Sequence, residues 1–131
     1  MTKSLAWPAA FLLLVLPLAS SALAQSTDPK PFLGAWTGTL SAGSLVLEIA
    51  LDFTLDASGS IQGTIDSITQ GAFGIALGGF AIKDRTISFF IVDPNVPGDA
   101  AFKGSLDETG KRLAGEFTQS GSTGTFSVDK Q

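Results

Sequence analysis

Glu48 and Asp52 are the carboxylates whose spacing first invites a catalytic reading. Four apart in an alternating stretch, they share one face. They stand about 13 Å apart by strand rise, wider than either glycosidase carboxylate pair. A solvated outer face accounts for them better. The densest polar stretch is Asp66-Ser67-Ile68-Thr69-Gln70-Gly71-Ala72. Ser67 as a nucleophile would need a base. The chain has no His, and nothing in the spacing points to a Ser–Lys pair with Lys83 or Lys103. Asp66 and Gln70 side chains bracing a strand-to-strand connection is the better reading. Asp93, Asn95 and Asp99 share a loop with Pro94, Pro97 and Gly98. Their oxygens suit Ca²⁺, but EF-hand spacing is absent and ordinary loop composition gives the same residues. Gly71-x-x-Gly74 and Gly78-Gly79 lead into strand patterns rather than a helix, so neither forms a phosphate loop. No metal and no cofactor is expected.

Composition narrows the chemistry further. The 131 residues include no Cys and no His, and 44% are hydrophobic. Missing Cys excludes a disulfide framework, Cys-ligated zinc, an iron–sulfur centre and a cysteine nucleophile. Missing His excludes Ser-His-Asp catalysis and most haem sites. The net charge of −4 lacks the electrostatic footprint of a nucleic-acid binder.

The N-terminus reads as a secretory leader. Lys3 supplies a basic start, Leu5 to Leu18 is nearly all apolar, and Ala22-Leu23-Ala24 has the small-x-small pattern of a cleavage site. The alternative is an uncleaved anchor, but the run is short for a span and Pro8 and Pro17 interrupt it. Residues 1–24 are therefore expected to be a signal peptide, residues 25–31 a polar, unpaired lead-in, and residues 32–131 one domain. A secreted or periplasmic location follows, with no stable membrane span after cleavage. A domain of about 100 residues without disulfides must be held by packing and hydrogen bonds alone.

That domain reads as all-β. Leu45, Leu47, Ile49, Leu51, Phe53 and Leu55 alternate with Val46, Glu48, Ala50, Asp52 and Thr54, the period of a half-buried strand. Further short runs begin near Leu33, Ile61, Phe73, Ile87, Phe102, Leu113 and Phe126, with turn residues between them. Phe73, Ile75 and Leu77 fall on odd positions, Phe80 and Ile82 on even ones. The flip at Gly78-Gly79 predicts a β-bulge. About eight strands with short links predict an antiparallel up-and-down meander, closed or nearly closed into a lipocalin-like barrel that hides its edges. Trp36-x-Gly38-x-Leu40, Ile61-x-Gly63-x-Ile65, Phe102-x-Gly104-x-Leu106 and Leu113-x-Gly115-x-Phe117 each place Gly between bulky inward neighbours. Such glycines suit a strongly coiled strand or an aromatic lying over the backbone. So many large inward side chains predict a filled interior; a wider barrel would instead hold an apolar pocket.

Gly34-x-Trp36-x-Gly38-x-Leu40, then Asp66-Ser67-x-x-Gln70-Gly71-Ala72-x-Gly74-Ile75, then Phe102-x-Gly104-x-Leu106 and Gly115-x-Phe117-x-Gln119-x-Gly121 together resemble a known domain. It is the small β domain that precedes the catalytic domain in secreted bacterial α/β-hydrolases of the serine esterase and peptidase type. The resemblance spans Phe32 to Val128, and its middle block is the most specific part. The Gly-x-Trp opening is also similar to that of lipocalin-like and avidin-like barrels. The hydrolases' Gly-x-Ser-x-Gly elbow and triad have no counterpart here, so the resemblance implies an accessory role and no catalytic residue. It points to Asp66, Ser67, Gln70 and Gly71 as the candidate binding site. Trp36 joins them as a candidate binding aromatic, unless it is buried at the closed end of the barrel among inward Phe side chains.

The expected function is that of an exported, non-catalytic β-barrel module that binds a protein partner or a small apolar ligand. A lipocalin-like ligand carrier is the alternative. A hydrolase using carboxylate or Ser/Lys chemistry, and an envelope protein with no small ligand, are the competing readings. A continuous apolar cavity would separate the ligand binder from the purely structural protein.

Overall fold

The computed structural model describes residues 25–96 and 98–131. The leader read at residues 1–24 lies outside the described residues. Alternation gives the described chain eight strands: β1 (Gly34–Ala42), β2 (Leu45–Leu55), β3 (Ile61–Ser67), β4 (Ala72–Lys83), β5 (Thr86–Ile91), β6 (Ala101–Leu106), β7 (Arg112–Gln119) and β8 (Ser122–Lys130). Each pairs antiparallel with its predecessor, and β8 returns to β1, closing the barrel in chain order. The closing register runs from Trp36 opposite Lys130 to Ser41 opposite Thr125. Closure leaves no edge strand to recruit another chain.

Two bulges set the phase of β4. Between Gly78 and Ala81 the pairing with β5 slips by one residue, and Gly79 has φ +64°. Leu77 before the slip is buried, and Phe80 and Ile82 after it pack on the same core. The predicted kink is thus present with the predicted orientation. A second slip, between Ile65 and Ser67 of β3 and the facing Ile75 and Ala72 of β4, was not anticipated. Gly74 there has φ +69°. Phe73 therefore leaves the row of Ile75 and Leu77 and is 64% exposed.

A chain of aromatic contacts runs through the interior. Phe53 meets Phe80 and Phe89 with ring centroids 6.0 and 5.5 Å apart, Phe89 stacks on Phe102 at 5.0 Å, and Phe102 meets Phe117 at 4.8 Å and Phe126 at 5.3 Å. Such pairs add about 0.5–1.5 kcal/mol each beyond area burial. The inward glycines make room for them. A Cβ on Gly63 would lie 2.7 Å from the Phe53 ring, and one on Gly104 2.7 Å from Phe126.

The end of the barrel beside Phe53 and Phe80 is sealed. A 3-10 turn at Lys30–Phe32 carries Phe32 onto Trp36, and both are fully buried. The Trp36 indole N–H donates to the Phe32 carbonyl at 2.9 Å. The lead-in belongs to no strand, but it is docked. Ser26 exchanges two hydrogen bonds with Asp84 in the β4–β5 turn, its N–H to Oδ1 at 2.9 Å and its carbonyl from the Asp84 N–H at 2.7 Å. The anchored segment runs directly into the turn that presents Phe32 to the core.

Candidate functional site

The opposite end of the barrel is open. It gathers the β1–β2, β3–β4, β5–β6 and β7–β8 connections, and beneath them lies a cavity of ≈ 590 Å³. The expectation of a filled interior is corrected. Phe32, Trp36, Phe53 and Phe80 fill the closed half, Phe102 and Phe117 reach the cavity from β6 and β7, and the other inward positions of the open half are aliphatic, small or polar. Leu40, Leu45, Leu47, Ile49, Ile65, Ile75 and Ile91 form the walls, with Ala42 and Ala72 giving depth and Phe102 and Phe117 among the lining rings. The polar lining consists of Ser67, Gln70, Asn95, Gln119, Ser120 and Ser122. None of the lining residues carries a charge.

The β3–β4 connection builds the most defined part of the rim. Ser67 ends β3 with its side chain inward and is only 7% exposed. Its hydroxyl donates to the Gln70 carbonyl oxygen Oε1 at 2.8 Å. A buried hydroxyl without such a partner would be costly. The turn itself closes through the Gly71 N–H to the Ile68 carbonyl at 3.1 Å, with Gly71 at φ +68°. Asp66, one residue before Ser67, faces the other way and accepts the Gly74 N–H at 2.7 Å, which satisfies the bulge amide. The Glu48 N–H donates to the Thr69 hydroxyl at 2.8 Å and ties the turn to β2.

The candidate residues thus separate. Ser67 and Gln70 meet at the cavity. Asp66 and Gly71 shape the connection that places them and do not line it. Trp36 is buried at the other end of the barrel, with the Lys130 ammonium 5.2 Å from its ring centroid, which removes it from the binding surface. Sequence reading weighed Asn95 only as a loop oxygen for Ca²⁺ and missed Ser120, Ser122 and the aliphatic walls. Each is unremarkable alone, and only strand closure brings them together. Glu48 and Asp52 are exposed on the outside of β2. In the β5–β6 loop Asp93 accepts the Asn95 N–H at 2.9 Å, an ordinary loop brace.

The carboxylates held below their ordinary value lie far from the cavity. Asp56 is lowered first by the Ser58 hydroxyl, Asp107 first by the Thr109 hydroxyl, and Asp129 first by the Arg112 guanidinium. All three are at the closed end. Leu45, Val46 and Ile68 are exposed around the mouth, and Phe90 and Val92 lie beside it on β5 and the residue after it. Among the described residues no group of three or more His, Cys, Asp or Glu could hold a metal, and no helix is long and apolar enough to cross a membrane. Comparison with family models, curated proteins and solved structures finds no match.

Proposed function

We propose that this protein is an exported, non-catalytic barrel that binds a small, largely apolar molecule in the cavity of its open half. The observation that carries this reading is the cavity itself. Its volume of ≈ 590 Å³ falls in the range of about 300–1,000 Å³ that suits small-molecule sites, and its aliphatic walls surround a few convergent hydroxyls and amides. Its lining offers no titratable side chain to move a proton, and this supports binding over turnover. Export rests on the leader pattern at residues 1–24. The accessory role implied by the resemblance to the hydrolase-associated domain fits the same reading, with the barrel capturing a molecule on which another domain acts.

Titration with the neutral apolar fluorophore N-phenyl-1-naphthylamine tests it. Saturable binding of one probe per barrel, with a blue-shifted emission, is expected. Ala42→Trp, which fills the cavity from β1, should abolish it while the protein stays folded. Emission that rises linearly without saturation, or that Ala42→Trp leaves unchanged, would defeat the proposal.

A further inference from the structure

The cavity lining bears on a ligand's charge as well as its polarity, an inference that rests on the ligand-binding reading above. The Ser67 hydroxyl is committed to Gln70 Oε1. That bond orients the carboxamide and leaves its NH₂ group, a pair of donors, with no protein partner among the described residues. Asn95 brings a second carboxamide to the rim from the β5–β6 loop. The rim therefore offers donors and acceptors of uncharged groups.

Cationic groups are segregated along the barrel axis. Apart from Lys103, midway along β6 opposite Ser88 and Glu116, the described Lys and Arg side chains belong to the closed end. Lys30 is in the 3-10 turn, Lys83 and Arg85 flank the β4–β5 turn, Lys111 and Arg112 the β6–β7 turn, and Lys130 ends β8. The open end has Asp93 and Asp99 in the β5–β6 loop, Asp66 clasping the Gly74 amide outside the β3–β4 connection, Glu48 on the outer face of β2, and no described cation. A carboxylate or phosphate head would meet acids at the mouth and find no counter-ion in the wall. Burying an unpaired ion is far costlier than burying a hydrogen-bonded hydroxyl or amide. An ammonium head would be drawn toward the loop acids, yet once inside it would face a lining with no acid to pair it.

We propose that the ligand is an uncharged amphiphile. Its apolar body lies along Leu47, Ile65 and Ile75, and its hydroxyl, amide or ester head bonds at the rim to Gln70 and Asn95.

The test is displacement of N-phenyl-1-naphthylamine from the purified protein at pH 8 by four compounds with the same ten-carbon chain. These are decanol, decanamide, decanoate and decyltrimethylammonium. Decanol and decanamide should displace the probe at concentrations at least about tenfold below the two ions. Gln70→Leu should weaken decanamide more than decanol. Ser122→Lys, or Asn95→Lys in the exposed loop should the first variant fail to fold, should bring decanoate to or above the affinity of decanol. Decanoate or decyltrimethylammonium matching the neutral compounds in the unmodified protein would overturn charge selection and leave the cavity reading standing. A protein that binds neither the probe nor any of the four overturns both.

Discussion

The Asp66 carboxylate accepts the Gly74 amide at 2.7 Å and clasps, from the outside, the bulge that turns Ala72 and Ile75 into the cavity. Ser67, its neighbour in sequence, faces inward and holds Gln70. Two adjacent polar residues thus serve opposite faces of one strand. Asp66→Ala is expected to lower stability by about 1 kcal/mol, the net value of a partly exposed hydrogen bond. Asp66→Asn, which keeps an acceptor, should cost less. A urea midpoint for Asp66→Ala equal to that of the parent, at unchanged slope, would show that the clasp contributes nothing.

Trp36 anchors the closed end. It is fully buried and its N–H is bonded to the Phe32 carbonyl. Trp36→Ala should cost on the order of 3–5 kcal/mol, a large part of the stability of a domain without disulfides. Trp36→Phe should cost less, through the unpaired Phe32 carbonyl and the smaller ring. Thermal melts followed by circular dichroism check both. A midpoint within a degree or two of the parent for Trp36→Ala would mean that Trp36 is not part of the core.

The two bulge glycines should respond differently to alanine. Gly74 and Gly79 both have φ near the left-handed minimum, so each substitution costs about 1–2 kcal/mol of backbone strain. A Cβ on Gly74 meets nothing within 4 Å, whereas one on Gly79 lies 2.6 Å from the Phe90 ring. Gly79→Ala is therefore expected to be the more destabilising of the two in chemical denaturation. The reverse order would place Phe90 elsewhere.

Acid should unfold the barrel from its closed end. Asp56, Asp107 and Asp129 are held below the ordinary carboxylate value of 3.8 by Ser58, Thr109 and Arg112 respectively. The unfolded chain then takes up protons more readily than the folded one as pH falls. The stabilisation is complete above the unfolded value and is lost as pH drops through the folded values. With no His in the chain, the melting temperature should be level between about pH 5 and 8 and fall below about pH 4. Asp107→Asn should flatten that fall. A melting temperature that rises on acidification would contradict the assignment.

The alternation of β2, the glycines between bulky neighbours and the phase flip at Gly78-Gly79 are local patterns. They were sufficient to derive an eight-stranded meander, because side-chain period and short links leave few other topologies. The second bulge escaped that reading. Phe73 sits in phase with Ile75 along the sequence, and it turns outward at a slip where Gly74 has a positive φ and its amide bonds to Asp66, eight residues away.

What the amino-acid pattern determined by itself is, Phe73 apart, which face of each strand turns inward and that the strands follow one another in order. What only the tertiary structure decided is how far along the axis each inward residue lies. In a meander the end of one strand lies beside the start of the next, so Leu40, Leu47, Ser67, Ala72 and Ser122 share one end of the barrel while Phe32, Trp36, Phe53 and Phe80 share the other. Summed over the whole sequence, the inward volume suggests a full interior. Sorted along the axis by strand register, Phe32, Trp36, Phe53 and Phe80 fill the closed half, and the open half, walled mainly by aliphatic side chains, remains a cavity. Ser67 and Gln70 stand at its rim because closure of β8 on β1 completes the wall around them.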